Sequence, residues 1–310
     1  MRGHGRGAGV DENFMRLTGQ RLRDEFQQHA SIQRLFLRYT QARITQLAQT
    51  VVCNRHHSVD QQLCRWLLLS LDRLSSNKLT MTHDRIAAMA AKEGASALLV
   101  FPPNTMAMGG QLRPEMALVH FRRIADASNL PLICFQYPMA SGLGYPFDTL
   151  LKLFDAVPSI RAIKDWSNDA MLHERHIRTF QNLPRPVNVL TTHSSWLMAS
   201  LSMGANGLLS GAGSVIADLQ VALFSAVRAG ELKAAQAIND RIYPLAQAFY
   251  TPPFLDMHNR MKECLVLLGR IAQAHVRPPL VKITQAEIER LRQALNQAGI
   301  PREPALASVA

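Results

Sequence analysis

The sequence predicts an α/β protein in which a helical N-terminal segment precedes alternating strands and helices. In residues 22–74 the apolar side chains recur three or four positions apart, which is the period of an amphipathic helix. Residues 1–100 contain no proline and residues 20–93 no glycine, so neither residue interrupts these helices. From residue 95, short apolar runs each precede a helical stretch, which is typical of parallel βα units.

The helical segment contains one long one-sided apolar stripe. Its members are Ile32, Leu35, Phe36, Tyr39, Ile44, Leu47, Ala48 and Val51. Such a stripe can be buried against a second copy of the same helix. Ser58 is a favourable N-cap for a second helix that continues to Leu74, and a third helix is expected to begin near Thr82.

Five apolar runs are predicted to be strands. They occupy residues 97–101, 131–137, 160–165, 187–191 and 207–210. Their alternation with helical stretches predicts a parallel sheet, and the periodicity alone fits a barrel and a doubly wound fold equally well.

The charge balance is strongly basic, with a formal net charge of +11 in 310 residues. Residues 1–90 hold 13 Lys and Arg against 7 Asp and Glu, so the N-terminal segment is the more basic part. This balance fits either a nucleic-acid partner or an acidic substrate. The longest apolar stretch, Trp66 to Leu71, is too short to span a bilayer, and the N-terminus lacks the apolar core of a secretory signal. We therefore expect a cytoplasmic protein without a membrane partner.

The four cysteines, at positions 53, 64, 134 and 264, form no C-x-x-C pair. They share no metal-ligand spacing with His56 or His57, so no metal site is expected.

The order of five motifs resembles one enzyme family. EGASALLVFPP, LPLICFQYP, IRAIKDWSND, THSSW and GANGLLSGAGS follow one another as in the dihydrodipicolinate synthase and N-acetylneuraminate lyase superfamily. The resemblance covers roughly two hundred residues and implies a (β/α)₈ TIM barrel. Three βα units and a Gly-Thr-Thr-Gly-Glu type loop normally precede the first motif and are not found. The implied fold is a partial barrel of about five of eight units, strands 4 to 8.

The resemblance implies that Lys164 forms a Schiff base with a pyruvate-like 2-oxo acid. Imine formation needs an uncharged amine, and burial lowers the pKa of a lysine. The imine then serves as the electron sink for making or cleaving a carbon–carbon bond. Because the lysine itself fills this role, no organic cofactor is expected.

Further site residues follow from the resemblance. Phe135 occupies the place of the family's relay tyrosine and is expected to bind substrate. Tyr137, two residues on, lies on the same strand face, where it is either the proton relay or a packed aromatic. Backbone N–H groups around Leu209 and Ser210 are expected to hold the substrate carboxylate. His193 and Trp196 follow the fourth predicted strand, where a helix-capping polar cluster is the favoured interpretation.

Three positions depart from the lysine-biosynthetic members of the family. Ala140 stands where those enzymes carry a carboxylate-binding arginine. Asn104 and Thr105 replace paired tyrosines. The lysine-pathway substrate is therefore disfavoured, and the resemblance predicts a less specific lyase whose activity is impaired by the missing strands.

The N-terminal segment resembles a second family. LFLRYTQARITQLAQTVVCNRHHSVDQQLCRWLLLSLDRL followed by KLTMTHDRIAAM is similar to the dimerisation-helix region of Crp/Fnr-type transcription regulators. The recognition helix that would enter the major groove is missing, which argues against a nucleic-acid partner. The expected organisation is a disordered tail at 1–20, a helical connector at 21–90 and the barrel portion at 91–310. The two parts would be joined by gene fusion near residues 84–92, in a chain that forms a homo-oligomer. The alternatives to a lyase are a DNA-binding regulator fragment and a non-catalytic oligomeric fusion protein.

Overall fold

The computed structural model describes residues 18–41, 44 and 82–301. The chain divides into two compact units, Met1–Leu79 and Thr80–Ala310. The second unit includes the helix that begins after Thr82, which the sequence assigned to the connector ending at residue 90. Within the described ranges, no helix is long and apolar enough to cross a membrane.

The first unit is helical where it is described. Helix α1 spans Gly19–Gln28, and the hydroxyl of its N-cap Thr18 accepts a hydrogen bond from the backbone N–H of Arg21 at 3.3 Å. Helical structure resumes at residues 30–41, in the first part of the predicted stripe. There the side chains of Leu35 and Tyr39 are 67% and 63% exposed. Ile44 of the stripe is 55% exposed. The predicted tail up to residue 17, the stripe residues from Leu47 onward and the helix predicted from Ser58 to Leu74 lie outside the described residues.

The second unit is built around a parallel sheet of five strands in sequence order. The strands are β1 (Leu98–Val100), β2 (Leu132–Gln136), β3 (Ile160–Asp165), β4 (Asn188–Thr191) and β5 (Gly207–Leu208). The prediction of an α/β fold with these five strands in a parallel sheet is confirmed. Both end strands are shorter than predicted. β1 spans Leu98–Val100, within the predicted residues 97–101. β5 stops at Leu208, and residues 209–210 belong to the loop that follows it.

Nine described helices accompany the sheet. They are α2 (His83–Lys92), α3 (Pro114–Ala127), α4 (Phe147–Ala156), α5 (Ala170–Phe180), α6 (Leu197–Ser202), α7 (Gly213–Arg228), α8 (Leu232–Phe249), α9 (Met257–Leu267) and α10 (Gln285–Gln297). Several begin at residues whose chemistry favours a helix start. Pro114 opens α3, Asp169 caps α5 by accepting from the Leu172 N–H at 3.0 Å, and Thr284 forms a capping box at α10.

The core lies where the helices pack against the strands. Leu132, Ile160 and Val189 of the three central strands are fully buried, as are Phe154 of α4 and Phe180 of α5. The rings of Phe154 and Phe180 meet edge to face with centroids 4.9 Å apart. Because all strands are parallel, their carboxyl ends meet at one edge of the sheet, where a βα fold places its chemistry.

Candidate active site

Lys164 lies near the carboxyl end of β3, the central strand. Its sheet neighbours are Phe135 on β2 and Leu190 on β4. Successive side chains of a strand point to opposite faces. Lys164 therefore shares a face with Phe135, whereas the next residue, Asp165, faces the other way.

The Lys164 amine lies against an aromatic surface. Its Nζ is 4.7 Å from the centroid of the Phe135 ring, and the residue is half-buried. Burial lowers the pKa of Lys164 from its usual value. A larger fraction of the amine is therefore uncharged near neutral pH than for a solvated lysine, which is what a nucleophilic amine requires.

Tyr137 lies beside the same ring. Its ring meets that of Phe135 edge to face at 4.4 Å and lies 5.7 Å from the ring of Trp166. Burial raises the pKa of the half-buried Tyr137, so its phenol stays protonated at neutral pH. The structure thus brings Lys164, Phe135 and Tyr137 together, as alternation along β2 and β3 predicts.

Sequence reasoning missed three aromatic side chains around this group. Phe101, just after β1, stacks on Phe135 at 4.7 Å, and Trp166 follows Lys164 by two residues on the same face. Phe254, from the 3₁₀ turn before α9, meets Trp166 at 6.4 Å. The period-2 rule marks Trp166 as a neighbour of the Lys164 face, whereas Phe254 is distant in the sequence and carries no such signal.

His258 on α9 is a second group that the sequence did not single out. Burial lowers its pKa, and the positive charges of Lys164 and Lys262 lower it further. The charge of Lys164 therefore contributes to the lowered pKa of His258. The imidazole is largely neutral at pH 7, as a proton acceptor must be.

Asp165 is the centre of a buried hydrogen-bonded cluster on the opposite side of the sheet from Lys164. Its Oδ2 lies 2.7 Å from Nδ1 of His173 and 2.7 Å from Nδ1 of His176, both on α5. Its Oδ1 accepts from the Ser167 N–H at 2.8 Å. Burial alone would raise the pKa of Asp165, but the hydrogen bonds from the two histidines outweigh it and hold that pKa well below its usual range.

The cluster extends from His173 to Ser200 on α6, whose Oγ is 2.6 Å from His173 Nε2. Asp165, His173 and Ser200 are connected in the order of a hydrolytic Ser-His-Asp triad. All three are fully buried, so no substrate can reach the serine. The arrangement therefore braces α5 and α6 against the end of β3 and does not act as a nucleophile.

His193 holds the loop that follows β3. Its Nε2 accepts from the Asn168 N–H at 3.1 Å, so the ring proton is on Nδ1, which lies 3.2 Å from Thr191 Oγ1. Burial lowers the pKa of His193 to about 4, so the ring is neutral. Asn168 has φ = 54°, in the left-handed region, so the hydrogen bond to His193 stabilises a strained loop. His193 is thus part of a buried polar cluster, and it follows β4 as predicted.

Asp165, His173 and His193 bring three metal-ligating atoms within 4.8 Å of one another. The residues nevertheless fit hydrogen bonding better than a metal. The 2.7 Å separation between Asp165 Oδ2 and His173 Nδ1 is a hydrogen-bond length, whereas two ligands of a tetrahedral zinc lie roughly 3.3 Å apart. Both ring nitrogens of His193 already have protein partners.

The loop after β5 differs in part from expectation. The Leu209 N–H donates to the Thr191 carbonyl at 2.9 Å, so it is not free to bind a substrate carboxylate. The Ser210 hydroxyl lies 2.7 Å from Ser194 Oγ and accepts from Gln220 Nε2 at 3.0 Å. The side-chain oxygen of Ser210 is therefore held within the protein, and only its backbone amide stays a candidate for the carboxylate.

Fold and site together define an α/β protein with a half-buried lysine at the carboxyl end of a central parallel strand. The dihydrodipicolinate synthetase family profile matches residues 77–298. The chain belongs to the dihydrodipicolinate synthetase family.

Curated relatives and solved structures agree with this assignment. A 4-hydroxy-tetrahydrodipicolinate synthase of Symbiobacterium thermophilum is 30% identical over 220 residues, covering 70% of each chain. The enzyme of the same name from Methanosarcina mazei is 26% identical over 213 residues, covering 68% of this chain and 69% of its own.

Two solved structures share the fold. One is a prophage protein of the dihydrodipicolinic acid synthase family from E. coli K12, in complex with pyruvate (TM-score 0.63, 22% identity, 70% of this chain and 71% of that one). The other is the dihydrodipicolinate synthase of Aquifex aeolicus (TM-score 0.60, 21% identity, 72% and 73%).

Proposed function

We propose that this chain is a carbon–carbon lyase that forms a Schiff base between Lys164 and a pyruvate-like 2-oxo acid. The observation that carries the proposal is the Lys164 amine, which is half-buried, has a lowered pKa and lies 4.7 Å over the Phe135 ring. A relative in fold has been solved with pyruvate, which supports the choice of substrate class.

The chemistry begins when Lys164 Nζ attacks the C2 carbonyl of the 2-oxo acid and water leaves. The resulting iminium carries a positive charge where the ammonium lay, and the face of the Phe135 ring stabilises a cation at that distance. The iminium accepts the electron pair of a bond at C3, either to a proton or to carbon. Hydrolysis of the imine then releases the product and restores the amine.

Tyr137 is proposed as the proton relay. Its phenol is protonated at neutral pH, since the usual pKa of tyrosine lies well above 7 and burial raises it further, so it can donate to the carbinolamine hydroxyl that leaves as water. The backbone amide of Ser210, after β5, is proposed to bind the substrate carboxylate.

The five described strands are proposed to be strands 4 to 8 of a (β/α)₈ barrel. The connector predicted at 21–90 stands in place of the preceding units except for its last helix, α2, which belongs to the second unit. This organisation agrees with a chain that covers about 70% of the length of its relatives. Five strands do not close into a barrel. Among the described residues, β1 and β5 each pair with a strand on one side only, and such edges favour association with a second copy. We propose a homo-oligomeric fusion protein whose activity is lower than that of a complete barrel. The family match over residues 77–298 favours this lyase over a regulator of Crp/Fnr type.

Reductive trapping tests the proposal. The purified chain is incubated with pyruvate and sodium borohydride, and its intact mass is recorded beside Lys164→Met and Lys152→Met. Lys152 is an exposed lysine on α4 and serves as the matched control. A stable adduct on wild type and Lys152→Met alone supports the imine. Equal labelling of all three chains, or none of a folded wild type, refutes it.

A further inference from the structure

The Lys164 amine lies over the Phe135 ring, which belongs to a continuous series of five aromatic rings. Neighbouring ring centroids in this series lie 4.4 to 6.4 Å apart. We call it the aromatic wall, and its members in order are Phe101, Phe135, Tyr137, Trp166 and Phe254. Aromatic side chains pair at such distances, and an aromatic ligand can be added to the series by the same offset or edge-to-face contacts.

The wall is accessible. Phe101 and Phe254, at its two ends, are 45% and 47% exposed, and Tyr137 and Trp166 between them are half-buried. Only Phe135, beneath the Lys164 amine, is buried. Ring surface therefore remains available on the members of the wall next to the buried Phe135.

The wall is polar near Phe135 and apolar toward Phe254. The amine of Lys164 lies over Phe135, and His258 is close enough for its pKa to be lowered by the Lys164 charge. From there Tyr137, Trp166 and Phe254 lead away as successive rings. The ligand that fits has an acidic, carbonyl-bearing head and an aromatic tail.

We propose that the site takes a 2-oxo acid whose C4 bears a hydroxyl and an aromatic ring, and that it cleaves this acid to pyruvate and an aromatic aldehyde. This inference rests on the proposed imine chemistry of Lys164. The amine condenses with C2 and releases water. The C4 hydroxyl loses its proton, the C3–C4 bond breaks, and its electron pair forms the enamine as the aldehyde leaves. C3 then takes up a proton, and water hydrolyses the imine to pyruvate and the free amine.

The wall is tested by binding, without any reaction. Dissociation constants of 3-phenylpropanoate and 3-cyclohexylpropanoate are measured by NMR titration on the full chain. These acids have the same carboxylate and a ring of similar size, but only the first is aromatic. Wild type is expected to bind the phenyl acid roughly three- to tenfold more tightly. Equal affinities, or no binding of either acid, overturn the inference.

Substitutions test which rings cause the preference for the phenyl acid. Trp166→Leu is expected to abolish it, whereas the control Tyr243→Leu, at an exposed tyrosine of α8, retains it. If Trp166→Leu does not fold by circular dichroism, Phe254→Leu replaces it, since that ring is half exposed and touches the wall only at Trp166 among the described ring pairs. A preference unchanged in the folded variant contradicts the inference.

Pyruvate trapping on the same preparations separates this inference from the proposed function. An adduct at Lys164 without a preference for the phenyl acid supports the proposed lyase and overturns the proposal of an aromatic substrate. A phenyl preference without an adduct supports the aromatic site and overturns the imine chemistry.

Discussion

Lys164 and Asp165 are consecutive residues of β3, and their side chains lie on opposite faces of the sheet. The amine lies over the Phe135 ring, and the carboxylate lies 2.7 Å from the Nδ1 atoms of His173 and His176. The buried hydrogen bonds of Asp165 therefore fix the backbone that carries the Lys164 amine. The precision of the site depends on this fully buried support, since reacting groups must be held by neighbours that cannot move.

Removing the charge of Asp165 is expected to destabilise the second unit. Asp165→Asn replaces an acceptor-only carboxylate with an amide. Its NH₂ faces either the two histidine Nδ1 atoms or the Ser167 N–H, so at least one buried hydrogen bond is lost. We expect a loss of about 2 to 4 kcal/mol in unfolding free energy, measured by urea denaturation. The matched control is Asp169→Asn, at the exposed N-cap of α5, where asparagine caps equally well and the change stays under about 0.5 kcal/mol. A loss below about 1 kcal/mol at Asp165 contradicts the bracing role.

The buried neutral His193 predicts a pH dependence of stability. Its pKa is about 4 in the folded state and 6.5 when unperturbed, so the unfolded chain binds more protons between these values. The stability linked to His193 is therefore fully present above pH 6.5 and is lost as pH falls toward 4. The loss is about 3 to 4 kcal/mol. In His193→Gln the amide oxygen can still accept from the Asn168 N–H. This part of the dependence of the unfolding free energy on pH, measured by urea denaturation, should therefore disappear. Parallel curves for the two proteins over this window would falsify the assignment of a neutral His193.

Tyr137 can be a proton relay or a packed aromatic, and Tyr137→Phe distinguishes the two. The ring contacts with Phe135 and Trp166 are kept and only the hydroxyl is lost. A relay predicts that the rate of borohydride-trapped imine formation from pyruvate falls by about a hundredfold or more. Tyr243→Phe, at the exposed α8 position, should have no effect. An unchanged rate in Tyr137→Phe means that the residue only packs.

The exposed stripe of the first unit predicts self-association. Leu35 and Tyr39 are exposed apolar or aromatic residues one helical turn apart, at positions that the sequence assigns to a dimer face. Leu35→Glu is expected to shift the protein to a smaller assembly in light scattering after size exclusion. Gln33→Glu adds the same charge on the opposite side of the helix and should leave the mass unchanged. If both variants keep the wild-type mass, the stripe is not the interface.

The five strands were predictable from the sequence because short apolar runs are a local signal. Lys164 was singled out by its Ile-Lys-Asp setting within the order of family motifs, and the structure places it near the carboxyl end of β3. The Asp165 cluster was missed because it depends on how α5 packs against β3. Its one sequence signal is the spacing of His173 and His176, three apart on one helix face.

Two further features depend on three-dimensional placement. Phe254 reaches Trp166 across 88 positions of sequence, and no periodicity predicts such a contact. The Leu209 amide was expected to face substrate, but the sheet ladder continues one residue past β5 and takes its hydrogen bond.

The central claim is that the Lys164 amine forms an imine that yields an enamine, and proton exchange at the pyruvate methyl group tests it most directly. Pyruvate is incubated with the chain in deuterium oxide, and loss of the methyl signal is followed by NMR. We predict exchange catalysed by wild type and by Lys152→Met at equal rates, and none above background with folded Lys164→Met. Exchange that persists in Lys164→Met, or a folded wild type that catalyses none, contradicts the claim.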